Sequence, residues 1–143
     1  MKNFIISIYL LWGMIQDIKT QKITSRYLKL GAVMSCIIFF FFLYSVNFQW
    51  KQWMVCLVPG IIFLIVAKIT KEQIGYGDGL VLFILGICLG GADIWKLCMI
   101  SIYLSTFYTL IMVVRRKLNR KDRIPYLPFL WISHLLLWGM KYV

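Results

Sequence analysis

Residues 75–91 read GYGDGLVLFILGICLGG: three glycines around one acid, Asp78, and then an apolar run from Gly79 to Leu89. The run reaches Ile94 if the Gly90-Gly91 pair is counted in. A bilayer span takes about 20 apolar residues, so this segment reads as an interrupted span. Five more runs surround it: Met1 to Ile18, Tyr27 to Val46, Trp53 to Ile69, Leu97 to Val114 and Ile124 to Val143. No gap between them could form a soluble domain. The pattern predicts an all-α polytopic membrane protein of about six transmembrane helices, with residues 1–143 as a single membrane-embedded domain.

Composition points the same way. Of 143 residues, 62% are hydrophobic and 15% charged. A soluble domain carries roughly half apolar and about a quarter charged residues. One water-soluble core of this size could not bury the excess. Disorder is excluded, since a disordered chain needs low hydrophobicity.

The net charge of +11 could suggest nucleic acid, but the cations sit in short gaps between apolar runs. Twelve of the sixteen Lys and Arg residues fall on one side of the alternating spans, between 19–29, 68–71 and 115–123. Lys2, Lys51, Lys96 and Lys141 fall on the other. Basic loops stay cytoplasmic, which places both termini outside and leaves no role for nucleic acid. Trp50, Trp53, Trp95 and Trp138 then lie near the outer interface, which favours indole. The basic loop from Arg115 to Arg123 is expected to contact anionic lipid head groups. The first run resembles a signal peptide but lacks a small-residue cleavage site, so it is expected to be retained.

Cys36, Cys56, Cys88 and Cys98 lie inside apolar runs without a CxxC pair and read as packing residues. Gly86 and Gly90 form a G-x-x-x-G, a pattern of close helix packing. The aromatic residues, Phe39 to Phe42 among them, read as lipid-facing or packing groups.

Five acids in such a chain each demand a reason, because ionisable groups at membrane depth are costly. Glu72, Asp93 and Asp122 read as solvated loop charges. Asp17 ends the first span and Asp78 begins the fourth, so both stand at the cytoplasmic membrane edge. The glycines around Asp78 free the backbone for close approach. Asp78 could also N-cap the fourth helix, and the two roles are compatible.

Gly75-Tyr76-Gly77-Asp78 resembles the G-x-G-D motif of intramembrane aspartyl proteases. The upstream Asp17-Ile18-Lys19-Thr20-Gln21-Lys22-Ile23 resembles the first motif of the prepilin leader peptidases within that group. Tyr126-Leu127-Pro128-Phe129 is similar to their Pro-Phe element. The chain departs from the family at Thr24-Ser25, where Pro-Asn is frequent, and at Leu80, where Lys is frequent. It also lacks the cytoplasmic cysteine-bearing insertion linked to N-methylation in longer members, and so looks like a short, peptidase-only form.

The resemblance implies an aspartic endopeptidase with Asp17 and Asp78 as its catalytic pair. Gly75 and Gly77 would support the backbone, and Lys19, Ile23, Tyr76 and Pro128 would line the site or meet substrate. The implied substrate is a type IV pilin-like membrane precursor, cut after a Gly that precedes its apolar helix. The implied location is the inner, cytoplasmic membrane, with the site at its cytoplasmic face.

Two acids suit that chemistry without the resemblance. Peptide hydrolysis needs a base to activate water and an acid to protonate the carbonyl or leaving amine. Two carboxylates a few ångströms apart cannot both ionise easily, so one holds a proton and the pair supplies both functions. No metal or cofactor is called for. The single His134 without an HExxH argues against a zinc protease, and Ser133 and His134 are helix neighbours pointing apart. His134 reads as a buried hydrogen-bonding residue. The competing classes are a small transporter, channel subunit or assembly factor, and a presenilin-like protease. A transporter would sooner hold its acids mid-span, and a presenilin-like enzyme would set its first acid after Tyr, where this chain has Gln16.

Overall fold

The computed structural model describes residues 2–20, 23–43, 50–70, 75–115 and 124–140. All regular structure among them is helical: α1 (Lys2–Thr20), α2 (Ser25–Leu43), α3 (Trp50–Ile69), α4 (Tyr76–Leu89), α5 (Asp93–Val114) and α6 (Leu127–Met140). The all-α expectation holds, one helix to each apolar run. Among the described residues, α5 alone is long and apolar enough by length and composition to cross a bilayer. Met54–Ile69, α4 and α6 are shorter apolar helices. Glu72, Asp122 and the basic loop beyond Arg115 lie outside the described residues, as do Lys22 and the side chains of Trp50 and Trp53.

Several helix ends differ from the apolar limits, because hydrogen bonding rather than hydropathy sets them. α1 runs on through Lys19, a cation suited to the carbonyl end of a helix. α4 starts at Tyr76 instead of Gly79, which brings Asp78 into its first turn. It stops at Leu89, where Gly90 and Gly91 take φ of +67° and +60° and turn the chain out of the helix. α6 starts at Leu127 instead of Ile124, since Pro125 disfavours helical backbone at the residue before it.

The described residues form two compact units, one of Met1–Gln21 with Lys96–Val143 and one of Lys22–Trp95. In the second unit α4 packs on both α2 and α3. Its buried residues, Gly79, Val81, Leu82, Ile84, Leu85, Gly86 and Cys88, point in several directions around the helix. An all-round apolar helix is a central one. Its approach to α3 is set by glycine. A Cβ on Gly60 would lie 2.6 Å from the Phe83 Cα, and one on Gly86 would collide with the Cys56 carbonyl oxygen. Of the G-x-x-x-G pair, then, Gly86 packs between helices, whereas Gly90 ends one and faces open space.

Pro59 inside α3 has no N–H to offer the Val55 carbonyl one turn earlier. The Trp95 indole N–H donates to that carbonyl instead, at 3.2 Å. The Cys56 thiol donates to the Gly91 carbonyl at 3.4 Å, fixing the same end of the unit. Cys56, Cys88 and Cys98 are buried and Cys36 is exposed, all four as free thiols.

In the first unit α1 packs on α6. The buried residues of α1 are Ile6, Tyr9, Leu10, Gly13 and Asp17. They recur every three or four positions and so form one stripe along the helix. Phe4, Ile8, Leu11, Trp12, Ile15 and Ile18 stand exposed off that stripe. His134 of α6 is buried, its Nε2 3.1 Å from the Asn3 carbonyl oxygen, in keeping with the structural role expected of it.

Candidate active site

Asp17 lies in the last full turn of α1, on the packed stripe, and is only 6% exposed. Its burial has a local cause. The first N–H groups of a helix have no intrahelical acceptor. Tyr126, the residue before α6, has no short polar side chain with which to cap them, although its carbonyl accepts from the Phe129 and Leu130 N–H groups. The acceptor comes from α1: the Leu127 N–H donates to Asp17 Oδ2 at 3.1 Å, across 110 residues of sequence. The Tyr126 backbone hydrogen-bonds the same carboxylate. A lone acid on an apolar helix is thus held by the open end of another helix. Pro128, in the first turn of α6, is half-buried beside this contact, and Lys19 is exposed at the end of α1.

Asp78 belongs to the other unit. It is not the N-cap of α4. That position is taken by Gly75, at φ −61° and ψ 122°, with no side-chain cap bond. Asp78 sits three residues on, and its N–H donates to the Gly75 carbonyl at 3.0 Å. Its half-buried carboxylate folds back over the glycine, and Oδ2 lies 2.8 Å from where a Cβ on Gly75 would be. Tyr76 is half exposed beside it.

Gly77 serves a different contact. Ile23 rests on its bare Cα, with Cδ1 2.8 Å and Cβ 3.0 Å from the position of a Cβ on Gly77. Two residues singled out from separate motifs are therefore in direct contact. Gly77→Ala should destabilise the protein by about 1–3 kcal/mol, the usual cost of overpacking. Ile23→Ala in the same chain should recover part of that loss by removing the crowding Cδ1 and Cγ1. Thermal unfolding in detergent measures both, and a Gly77→Ala protein as stable as wild type would contradict the tight contact.

Asp93, read as a loop charge, opens α5 in its first turn, where an acid suits the helix end. Ser133 donates to the Phe129 carbonyl at 2.6 Å, within its own helix. Among the described residues no group of three or more His, Cys, Asp or Glu side chains gathers that could hold a metal ion. Tyr126 and Leu127 stand out in the sequence only as neighbours of the Pro-Phe element, and nothing in it marks Leu127 as a donor to Asp17 or Ser101, whose Oγ is 2.6 Å from the Tyr126 hydroxyl. The available signal was a helix start without a local capping side chain, which calls for an acceptor from elsewhere.

No curated protein and no solved structure matches the chain. The sequence model of the type IV leader peptidase family matches residues 4–114. The match spans most of the chain and contains both acid motifs, whereas α6, which holds Asp17 in place, lies beyond it. The family is typically membrane-associated, in keeping with the apolar α5. The chain belongs to the type IV leader peptidase family, and so to the proteases.

Proposed function

We propose that the protein is a membrane aspartyl endopeptidase that removes the leader of type IV pilin-like precursors at the cytoplasmic face of the inner membrane. Asp17 and Asp78 form its catalytic pair. One carboxylate takes a proton from water as the oxygen attacks the scissile carbonyl. The other, protonated, gives its proton to the carbonyl oxygen, and a tetrahedral diol forms. The first carboxylate then passes the proton it took from water to the departing nitrogen, while a diol hydroxyl returns a proton to the second. The C–N bond breaks, and water's atoms divide between a new carboxyl group and a new amine.

The observation that carries this reading is the buried Asp17 carboxylate at the end of an apolar helix, in a chain of this peptidase family. The glycine-built turn around Asp78 supports the second half of the pair. The charge bias of the loops supports the location: with six spans and both termini outside, the ends of α1 and α3 and the start of α4 would face the cytoplasm. The exposed apolar side chains of α1, α2 and α5, such as Phe4, Phe41 and Phe107, then face lipid.

The test uses membrane vesicles and a synthetic precursor with a basic leader, a Gly and an apolar helix. Inverted vesicles should release a product that begins after the Gly, and right-side-out vesicles should not. In a cysteine-free background, Arg120→Cys should be labelled by an impermeant thiol reagent in inverted vesicles alone. Cleavage confined to right-side-out vesicles, or labelling there, would overturn the sidedness, and no cleavage in either would overturn the activity.

A further inference from the structure

The start of α6 holds Asp17, and something must in turn hold the start of α6. Tyr126 provides the link. Its hydroxyl lies 2.6 Å from Ser101 Oγ on α5. Ser101 is fully buried, and its own O–H donates to the Cys98 carbonyl at 2.9 Å. The serine proton is thereby committed, so the Tyr126 O–H is the donor and Ser101 Oγ the acceptor. The chain runs Tyr126 O–H to Ser101 O–H to Cys98 carbonyl, a directed pair of bonds that ends on the α5 backbone. The backbone of the same tyrosine, and the Leu127 N–H next to it, hold the Asp17 carboxylate. The Tyr108 and Phe129 rings, 5.4 Å apart between centroids, give α5 and α6 a second contact nearby.

We propose that Tyr126 and Ser101 are positioning residues for cleavage: a latch that pins the first turn of α6 to α5 and so fixes where the Asp17 carboxylate points. Neither side chain needs to meet the precursor. The proposal rests on the assignment of Asp17 as one of the two reacting carboxylates. Its mechanical core, the pinning of the α6 start, does not.

The local fold explains why a latch is needed at this point. Pro125 and Pro128 flank the turn, and neither offers a backbone N–H to anchor it. The backbone at 124–126 is outside any helix. An unlatched turn would leave the Asp17 carboxylate with donors free to wander, and misplacing a reacting group by about 1 Å can cost on the order of 100-fold in rate.

Tyr126→Phe and Ser101→Ala test the latch in the full protein, in lipid nanodiscs, with the synthetic precursor described above. Tyr126→Phe keeps the ring and leaves Ser101 bonded to the Cys98 carbonyl, so packing is retained. Each variant should lower kcat by about 10- to 100-fold with KM within about twofold, because the lost contact acts on the reacting group and not on substrate binding. The double variant should be no slower than either single one, since both break the same bond. Backbone hydrogen exchange should quicken over the peptide covering 124–130 and stay unchanged elsewhere.

Wild-type kcat in both variants would overturn the proposal, and so would a loss carried by KM alone. Unchanged exchange over 124–130 would overturn it as well. If Tyr126→Phe fails to fold, Ser101→Ala decides by the same readouts. Asp17→Asn in parallel separates the two levels. Full cleavage by Asp17→Asn would remove the underlying assignment, whereas a dead Asp17→Asn beside a fully active Tyr126→Phe would remove the latch alone.

Discussion

Asp17→Asn and Asp78→Asn will each abolish precursor cleavage while the protein still folds and inserts. Asn keeps the shape of Asp, and its amide oxygen can still accept the Leu127 N–H that Asp17 accepts at 3.1 Å. It cannot take up or give a proton at that oxygen, and removing proton transfer costs about 100- to 10,000-fold in rate. Members of one catalytic unit are not additive, so the double variant should be no worse than either single one. The substitution also separates chemistry from capping, since Asn and Asp serve about equally well at helix starts. Asp17→Ala, in contrast, should be inactive and also less stable by about 0.5–2 kcal/mol, because the α6 start loses its acceptor. Asp93→Asn is the control and should keep most activity. Near-normal processing by either Asn variant in a liposome assay would refute the aspartyl mechanism.

The sequence made the helices legible because apolar runs and basic gaps are local properties. It made the two acids legible because a carboxylate is conspicuous in so apolar a chain. The partners of those acids were less visible. Asp17 and Leu127 are joined across 110 residues by a backbone donor, which leaves no mark in residue type. α4 starts before its apolar run because Tyr76, Gly77 and Asp78, though poor in hydropathy, have a backbone that closes the first helical turn all the same. Gly86 and Gly90 look alike in sequence. Only the approach of Cys56 to one and the positive φ of the other divide their roles. Tyr126 and Ser101 are ordinary residue types in an aromatic-rich chain. Their significance comes from the bond between them.

Gly75→Ala should leave a stable protein with severely impaired cleavage, and it tests the Asp78 half of the pair without touching the acid. The backbone at Gly75, φ −61° and ψ 122°, is one that any L-residue adopts, so alanine brings no strain there. Gly and Ala differ at a helix start by no more than about 1 kcal/mol. The cost falls elsewhere. The new Cβ would lie 2.8 Å from Asp78 Oδ2 and 3.4 Å from its Cγ, so the carboxylate must swing away. A side-chain terminus can do so cheaply in energy, but a reacting carboxylate displaced by about 1 Å can lose on the order of 100-fold in rate. Gly77→Ala makes the opposite prediction, because the Cβ there meets Ile23 and the damage goes to packing. Two glycines two positions apart should therefore fail differently: position 75 through kcat at an unchanged unfolding temperature, position 77 through the unfolding temperature itself. If Gly75→Ala cleaves the precursor at the wild-type kcat, the orientation of Asp78 seen here is not the one that catalysis uses.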